Sequence, residues 1–282
     1  LMQNIDLIKK QAQIIVNLYN AQKSDEVVQK GKVLIKKFPE QVIFYNATSL
    51  SLSALDRDDE ALKIMKEALI NHPKNIHVLN NLGLISGKLN NNKLAKEYFN
   101  QALSLNNNFI ESLVNLGNIE LSELHLENCK KLYEKALSLS KTNQTKEIVY
   151  TALGHYHQQT GDFNEAFKYL YKINDLNPNN TNVDKSISLI HKYKDQNDNH
   201  LQSMQKKINL NLTNEQNQSL FFALGKAYED LKLYQDSFKF LNKANDLANK
   251  RYKYDINNDI DLFTRLKILF KDYKSSLKIP AT

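Results

Sequence analysis

The sequence predicts an all-α fold, an α-solenoid in which about seven helical hairpins stack as a right-handed superhelix closed by a C-terminal capping helix. Three observations carry this. The 282 residues include only 7 Gly and 4 Pro, too little turn chemistry for a sheet-rich fold. Apolar residues make up 41% of the chain and charged residues 24%, enough to bury a core and too apolar for disorder. The third is a Leu-Gly pair that recurs at Leu82-Gly83, Leu116-Gly117, Leu153-Gly154 and Leu224-Gly225, at spacings of 34, 37 and 71 residues.

With each glycine at position 8 of a repeat, residues 1–251 divide into repeats 8–41, 42–75, 76–109, 110–146, 147–180, 181–217 and 218–251. The first rests on Leu34, Pro39 and helical periodicity. The second places Ala61 and Ala68 at the small positions 20 and 27 and Met65 at the bulky position 24. Ala95, Phe99 and Ala102 fill those places in the third, Cys129, Tyr133 and Ala136 in the fourth, and Ala166, Leu170 and Ile173 in the fifth. The sixth keeps little beyond Ile187, Leu189 and Met204. A capping box, Thr213-x-x-Gln216, starts the seventh, which carries Ser237, Leu241 and Ala244.

Small residues on both helices of a hairpin let the backbones approach, so Gly83 is expected against Ala95 and Gly154 against Ala166. Asp56, Asn90-Asn91 and Gly161-Asp162 suit turns that need the left-handed region. Pro39, Pro73, Asn107 and Pro178 stand where each second helix must stop. Beyond the repeats, residues 252–282 form a C-terminal helix and linker. Within them, 255–274 read as an amphipathic helix whose Ile256, Ile260, Phe263, Leu266, Leu269 and Phe270 cap the last repeat.

Together these marks resemble the tetratricopeptide-repeat (TPR) family over nearly the whole chain. That resemblance implies a concave groove lined by first helices and a protein or peptide partner within it. Its expected polar lining is Asn46, His77, Asn80, Asn81, Lys88, Asn115, Asn118, His155, Gln158, Gln159 and Lys226. Amide side chains are suited to an extended peptide, because they donate to its C=O and accept from its N–H without reading its sequence. Asn81-Leu82-Gly83 and Asn115-Leu116-Gly117 also resemble the asparagine ladder of O-linked N-acetylglucosamine transferase repeat domains, a pattern that fails at Ala47, Ala152 and Ala223.

Other functions find little support in composition. The net charge is +7, yet residues 250–282 hold eight Lys or Arg against four Asp, so the body has no basic stripe and nucleic acid is not an expected partner. No stretch approaches the roughly 18 apolar residues of a membrane helix, and Leu1 to Lys10 show no secretory leader. A single cysteine, Cys129, rules out an intrachain disulfide and suits a reducing cytoplasm. Phosphate loops, nucleophile elbows and H-E-x-x-H are absent. His155 and His157 point about 200° apart on a helix and cannot chelate one ion, so no metal is expected and His157 reads as packing. Asp56, Asp58, Asp59 and Glu60 read as a helix cap.

Near the C-terminus the order Phe222-Ala-Leu-Gly-Lys-Ala-Tyr-Glu-Asp230, Tyr234, Phe238, Leu241, Ala244-Asn245, Arg251, Tyr254-Asp255, Asp259 and Phe263 resembles the closing segment of bacterial TPR sulfotransferases. Ser237 and Leu233 depart slightly from it. In that family this segment leads into a transferase domain with a P-R-S-G-T loop for the donor 3′-phosphoadenosine 5′-phosphosulfate. The chain stops at Lys278-Ile-Pro-Ala-Thr282, where that domain's first strand is expected, so no donor-site residue, cofactor or catalytic group lies in these residues. The expectation is a peptide-binding module in front of an absent sulfotransferase domain; the alternative is a free-standing scaffold with no enzymatic activity.

Overall fold

The structure is a computed structural model that describes residues 2–252 and 255–276, with side chains over 5–250 and 255–270. Among the described residues every regular element is a helix. Five hairpins come first: α1 (Met2–Asn20) with α2 (Ser24–Lys37), α3 (Val42–Ala54) with α4 (Asp58–Asn71), α5 (Ile76–Lys88) with α6 (Asn92–Leu105), α7 (Ile110–Ser122) with α8 (Leu126–Leu139), and α9 (Asn143–Gln159) with α10 (Phe163–Leu176). Then follow α11 (Thr181–Ile190), α12 (Asn199–Lys207), α13 (Asn214–Asp230), α14 (Tyr234–Tyr252) and α15 (Ile256–Ser276). The chain divides into two compact units, Leu1–Leu176 and Asn177–Thr282.

In the first unit each second helix packs against its own first helix and against the next one, while α1, α3, α5, α7 and α9 also touch in succession. The first helices therefore form a continuous row. Phe44, Tyr45, Met65 and Leu82 are fully buried in one core cluster, and Tyr133, Ala136 and Val149 in another. Pro39 and Pro73 follow the ends of α2 and α4, and Pro178 follows α10, as a residue that cannot extend a helix should.

The close approach within each hairpin is not the one expected. A Cβ built on Gly83 would lie 2.4 Å from Cε1 of Phe99, and one on Gly117 would lie 2.4 Å from Cε1 of Tyr133. Each glycine thus meets the bulky side chain at position 24, one turn beyond the small residue at position 20. Ala95 instead faces Gly87, whose added Cβ would be 3.8 Å away. Gly154 faces Leu170 rather than Ala166 and leaves 3.3 Å for a Cβ. An aromatic ring pressed against bare backbone needs glycine, whereas a flexible leucine tolerates more.

The turns repeat with the same period. Gln22, Asp56, Asn90, Leu124, Gly161 and Lys232 all adopt φ between +56° and +79°. In the second hairpin Asp56 donates its N–H to Ser53 O and Arg57 to Leu52 O, the two bonds of a Schellman ending, and the pattern recurs at Leu124 and His125. Asp56, Asn90 and Gly161 are residues that favour this region; Gln22, Leu124 and Lys232 are not. Packing on both sides imposes the turn, and the steric penalty of roughly 1–2 kcal/mol per residue is borne there. The acidic run stands as expected at the start of α4, with Asp58, Asp59 and Glu60 in its first turn, although the N-cap is Arg57 and makes no side-chain cap bond. Asp56, Asp58 and Glu60 also form ion pairs. Glu60 takes Arg57 at 2.6 Å and Lys32 at 2.9 Å, which hold its carboxyl down at about 2.

In the second unit α11 and α13 pack together, as do α13 and α14. The Thr213–Gln216 capping box forms and starts α13 at Asn214. The sixth hairpin is irregular: α11 and α12 have 10 and 9 residues, and residues 191–198 between them form no helix. Polar groups replace part of its core. Fully buried Asp184 accepts from Lys207 Nζ at 2.8 Å on both oxygens and lies 3.2 Å from His200 Nε2, while Tyr193 OH lies 2.6 Å from His200 Nδ1. The expected capping by α15 is absent. Ile256, Ile260, Phe263, Leu269 and Phe270 are exposed, and no described helix packs broadly against them. Tyr254 and residues 278–282 lie outside the described residues, as does the Arg251 side chain.

Gly83→Ala and Gly117→Ala should each lower stability by about 1–3 kcal/mol in urea titrations through overpacking against a ring, whereas Gly154→Ala should be near neutral. Leu124→Gly should raise stability by about 1 kcal/mol, because the Leu124 side chain is largely exposed at a φ of +62° and glycine removes the penalty without losing packing.

Candidate functional site

The row of first helices carries most of the expected groove residues, and the structure sorts them into two sets. One set is engaged with neighbouring helices. Asn81 Nδ2 donates to Asn46 Oδ1 at 3.0 Å, and Asn115 Nδ2 donates to Asn80 Oδ1 at 3.0 Å. Each bond joins residues 35 apart on consecutive first helices. Asn80 is buried and also accepts from Ser112 Oγ at 3.0 Å. Lys88 reaches back to the preceding turn, with Nζ at 2.6 Å from Ser53 O, 3.3 Å from Asp56 and 3.0 Å from Asp58. His77 packs edge-on against Phe109. In the second unit Lys226 pairs with Asp230 at 2.6 Å. Burial opposes ionisation of Asp230, but hydrogen bonds from Lys192, Lys226 and the Tyr193 N–H outweigh it and hold the carboxyl below its usual range.

The other set surrounds a cavity of about 720 Å³ between α7 and α9. Asn115, which belongs to both sets, lines it together with Asn118, His155 and Gln159, beside the apolar Val114, Leu121, Ile148 and Ala152. Ser122, Gln144, Glu147 and Thr151 complete the lining; Ser122 and Thr151 stand at positions 13 and 5 of their repeats, as Lys88 and Asn80 do, whereas Gln144 precedes its repeat and is not anticipated from the register. The reason is the start of α9. Thr142 caps it through reciprocal bonds with Thr145, so the helix begins at Asn143 and brings a further turn to the wall. The Thr142-x-x-Thr145 spacing was the available signal, in a form with threonine in place of Glu or Gln. Asn118 is held in place by the Tyr133 hydroxyl, which donates to its Oδ1 at 2.6 Å. Burial drives that phenol's pKa well up, so it remains a donor. Gln158 does not line the cavity, and His157 stacks on Tyr169 as a packing residue.

A second cluster sits at the end of α7. Ligand atoms of Glu120, Glu123 and His125 lie within 4.8 Å of one another. Lys96 Nζ bonds both carboxylates, 2.5 Å from Glu120 and 2.6 Å from Glu123. Burial opposes the charge on Glu120, yet bonds from Lys96, His125 and Asn128 prevail and keep the carboxyl below its usual range. A lysine ammonium therefore supplies the positive charge there. Cys129, beside it, is buried, and burial pushes its thiol up to about 11, which leaves it a packing group without nucleophilic character.

Residues 76–109, 110–143, 148–180 and 219–251 match the family model for the tetratricopeptide repeat. These four segments are TPRs. Among solved structures, the chain is similar to the APC/C hetero-tetramer Cut9–Hcn1 (TM-score 0.60, 17% identity, 86% of this chain and 46% of that one). It is similar also to TTC0263, a thermophilic TPR protein of Thermus thermophilus (TM-score 0.58, 14% identity, 64% of this chain and 97% of that one). A TPR protein from Parabacteroides merdae ATCC 43184 gives a TM-score of 0.55 at 15% identity over 85% of this chain and 92% of that one. At these identities the likeness is one of fold. No curated protein matches the chain. No described helix is long and apolar enough to cross a membrane.

Asn80→Ala should destabilise the first unit by about 1–3 kcal/mol, because buried Ser112 Oγ loses its acceptor. Adding Ser112→Ala should recover part of the loss, a non-additivity measurable in a double-mutant cycle.

Proposed function

We propose that the chain is a protein-docking module that holds an extended segment of a partner along its first-helix row, centred on the α7–α9 cavity. The observation that carries this reading is the composition of that cavity: side-chain amides of Asn115, Asn118, Gln144 and Gln159 beside apolar side chains. Amides satisfy a peptide backbone without demanding a sequence, and the apolar lining offers burial to an alternate side chain. TPR proteins generally bind protein partners, which agrees. On this reading the module carries no cofactor of its own, and a cytoplasmic setting suits its lone buried thiol, Cys129.

A narrower version rests on the sequence alone. The 222–263 stretch is similar to the segment that leads into the catalytic domain of bacterial TPR sulfotransferases. It would make the chain the docking part of an enzyme using 3′-phosphoadenosine 5′-phosphosulfate in a domain outside these residues. The structural neighbours lend this version nothing. The reading frame downstream of the Thr282 codon tests it: a P-R-S-G-T-type loop supports it, and a stop codon removes it.

The docking reading is tested by peptide display on the chain, followed by fluorescence titration of the recovered peptides. His155→Ala with Gln159→Ala, two exposed cavity residues, should weaken binding at least about tenfold while leaving the urea midpoint in place. Peptides bound with unchanged affinity by that variant would refute the cavity as the site.

A further inference from the structure

The exposed apolar face of α15 has an internal symmetry. Residues equidistant from Phe263 along the helix are matched in kind: Ile260 with Leu266, Ile256 with Phe270, Asp259 with Lys267, and Asp261 with Arg265. Asp255 and Lys271 continue the series in sequence. Within about 60° of Phe263 around the helix, apolar positions pair with apolar ones and acids with bases; away from that face the matching fails, with Leu262 against Thr264, Asn258 against Ile268 and Asn257 against Leu269. On a helix, Ile256 and Phe270 fall about 20° to either side of Phe263, with Asp259 and Lys267 about 40° away, so all five share one face. Asp261 and Arg265 lie on the opposite side and bond to each other at 2.6 Å.

A sequence of this kind suits a two-fold contact. An axis through Phe263, perpendicular to the helix, sets two copies antiparallel, and an isologous interface then opposes each residue to its symmetry mate in the list above. Phe263 meets Phe263 of the second copy, Ile256 meets Phe270, and Asp259 meets Lys267 on both sides of the axis. A parallel pair would set Asp259 against Asp259. In the single chain this face is open: Ile256, Ile260, Phe263 and Phe270 are 60%, 56%, 60% and 63% exposed. A lone helix showing so much apolar surface is marginal in water and gains from burial.

We propose that α15 is a self-association helix that pairs antiparallel with α15 of a second copy of this chain, about a two-fold axis at Phe263. The docking face lies on other helices, so pairing would present two such faces together. The inference stands independently of what the cavity binds.

Sedimentation equilibrium of the full chain at about 10 µM should give the mass of two chains. Phe263→Asp, which brings two carboxylates together at the axis, should give one chain with an unchanged helical circular dichroism spectrum. Asp259→Lys and Lys267→Asp should each be monomeric alone and form a heterodimer when mixed, and the double exchange in one chain should restore the dimer. A monomeric parent chain overturns the proposal, because the face is then covered by something else. A dimer indifferent to Phe263→Asp, or charge variants that fail to combine on mixing, overturns it equally.

Discussion

The contact on which the rest of the first unit depends is an aromatic ring resting on bare helix backbone. Phe99 on Gly83 and Tyr133 on Gly117 set how closely two helices of a hairpin run. That separation sets the next. Because each second helix also packs on the following first helix, the spacing of these two hairpins is passed to their neighbours, and consecutive first helices are in contact. The bonds from Asn81 to Asn46 and from Asn115 to Asn80 are a consequence, since an amide–amide bond of 3.0 Å between residues 35 apart forms only if neighbouring repeats superpose closely.

Much of this was legible in the residues. The Leu-Gly recurrence located the clear hairpins, and the positive-φ residues Asp56, Asn90 and Gly161 stood where turn chemistry put them. The sequence register did not show which turn of the second helix a glycine meets. Positions 20 and 24 lie on the same helical face, one turn apart, and a linear pattern of small and large residues does not tell them apart. Leu124 and Lys232 were illegible for another reason: the intrinsic preference for glycine at such a turn is small beside the packing that surrounds it. The sixth hairpin escaped because its core is polar, and Asp184 with Lys207 and His200 breaks the apolar periodicity on which a helical reading relies.

The candidate site was half legible for the same physical cause. Asparagine at first-helix positions was visible, but its use was not. Asn46, Asn80 and Asn81 bond to one another or to neighbouring helices and stiffen the row, and Lys88 is held by the preceding turn. An amide that already has a partner gives up that bond to accept a peptide, a cost that falls also on Asn115, bonded to Asn80, and on Asn118, bonded to Tyr133, at the α7–α9 cavity. Gln144, from the added turn of α9, entered that wall through a local cap, Thr142 with Thr145, which lies outside the repeat pattern altogether.

The buried polar groups of the two units then carry different weight. Ser51 and Ser86 in the first unit, and Thr181 in the second, have buried hydroxyls with no hydrogen-bond partner, a penalty that close helix packing absorbs. In the second, Asp184 is fully buried but receives two bonds from Lys207 and lies against His200, so its charge is met from both α12 ends. A buried ion pair of this sort adds little net stability compared with well-packed apolar groups, yet losing one partner strands a charge and is strongly destabilising. Helices of 10 and 9 residues have little apolar surface with which to fix their own register. The directional bonds from Lys207, His200 and Tyr193 supply that register instead, so the hairpin whose repeat signature is weakest is held by its most specific contacts.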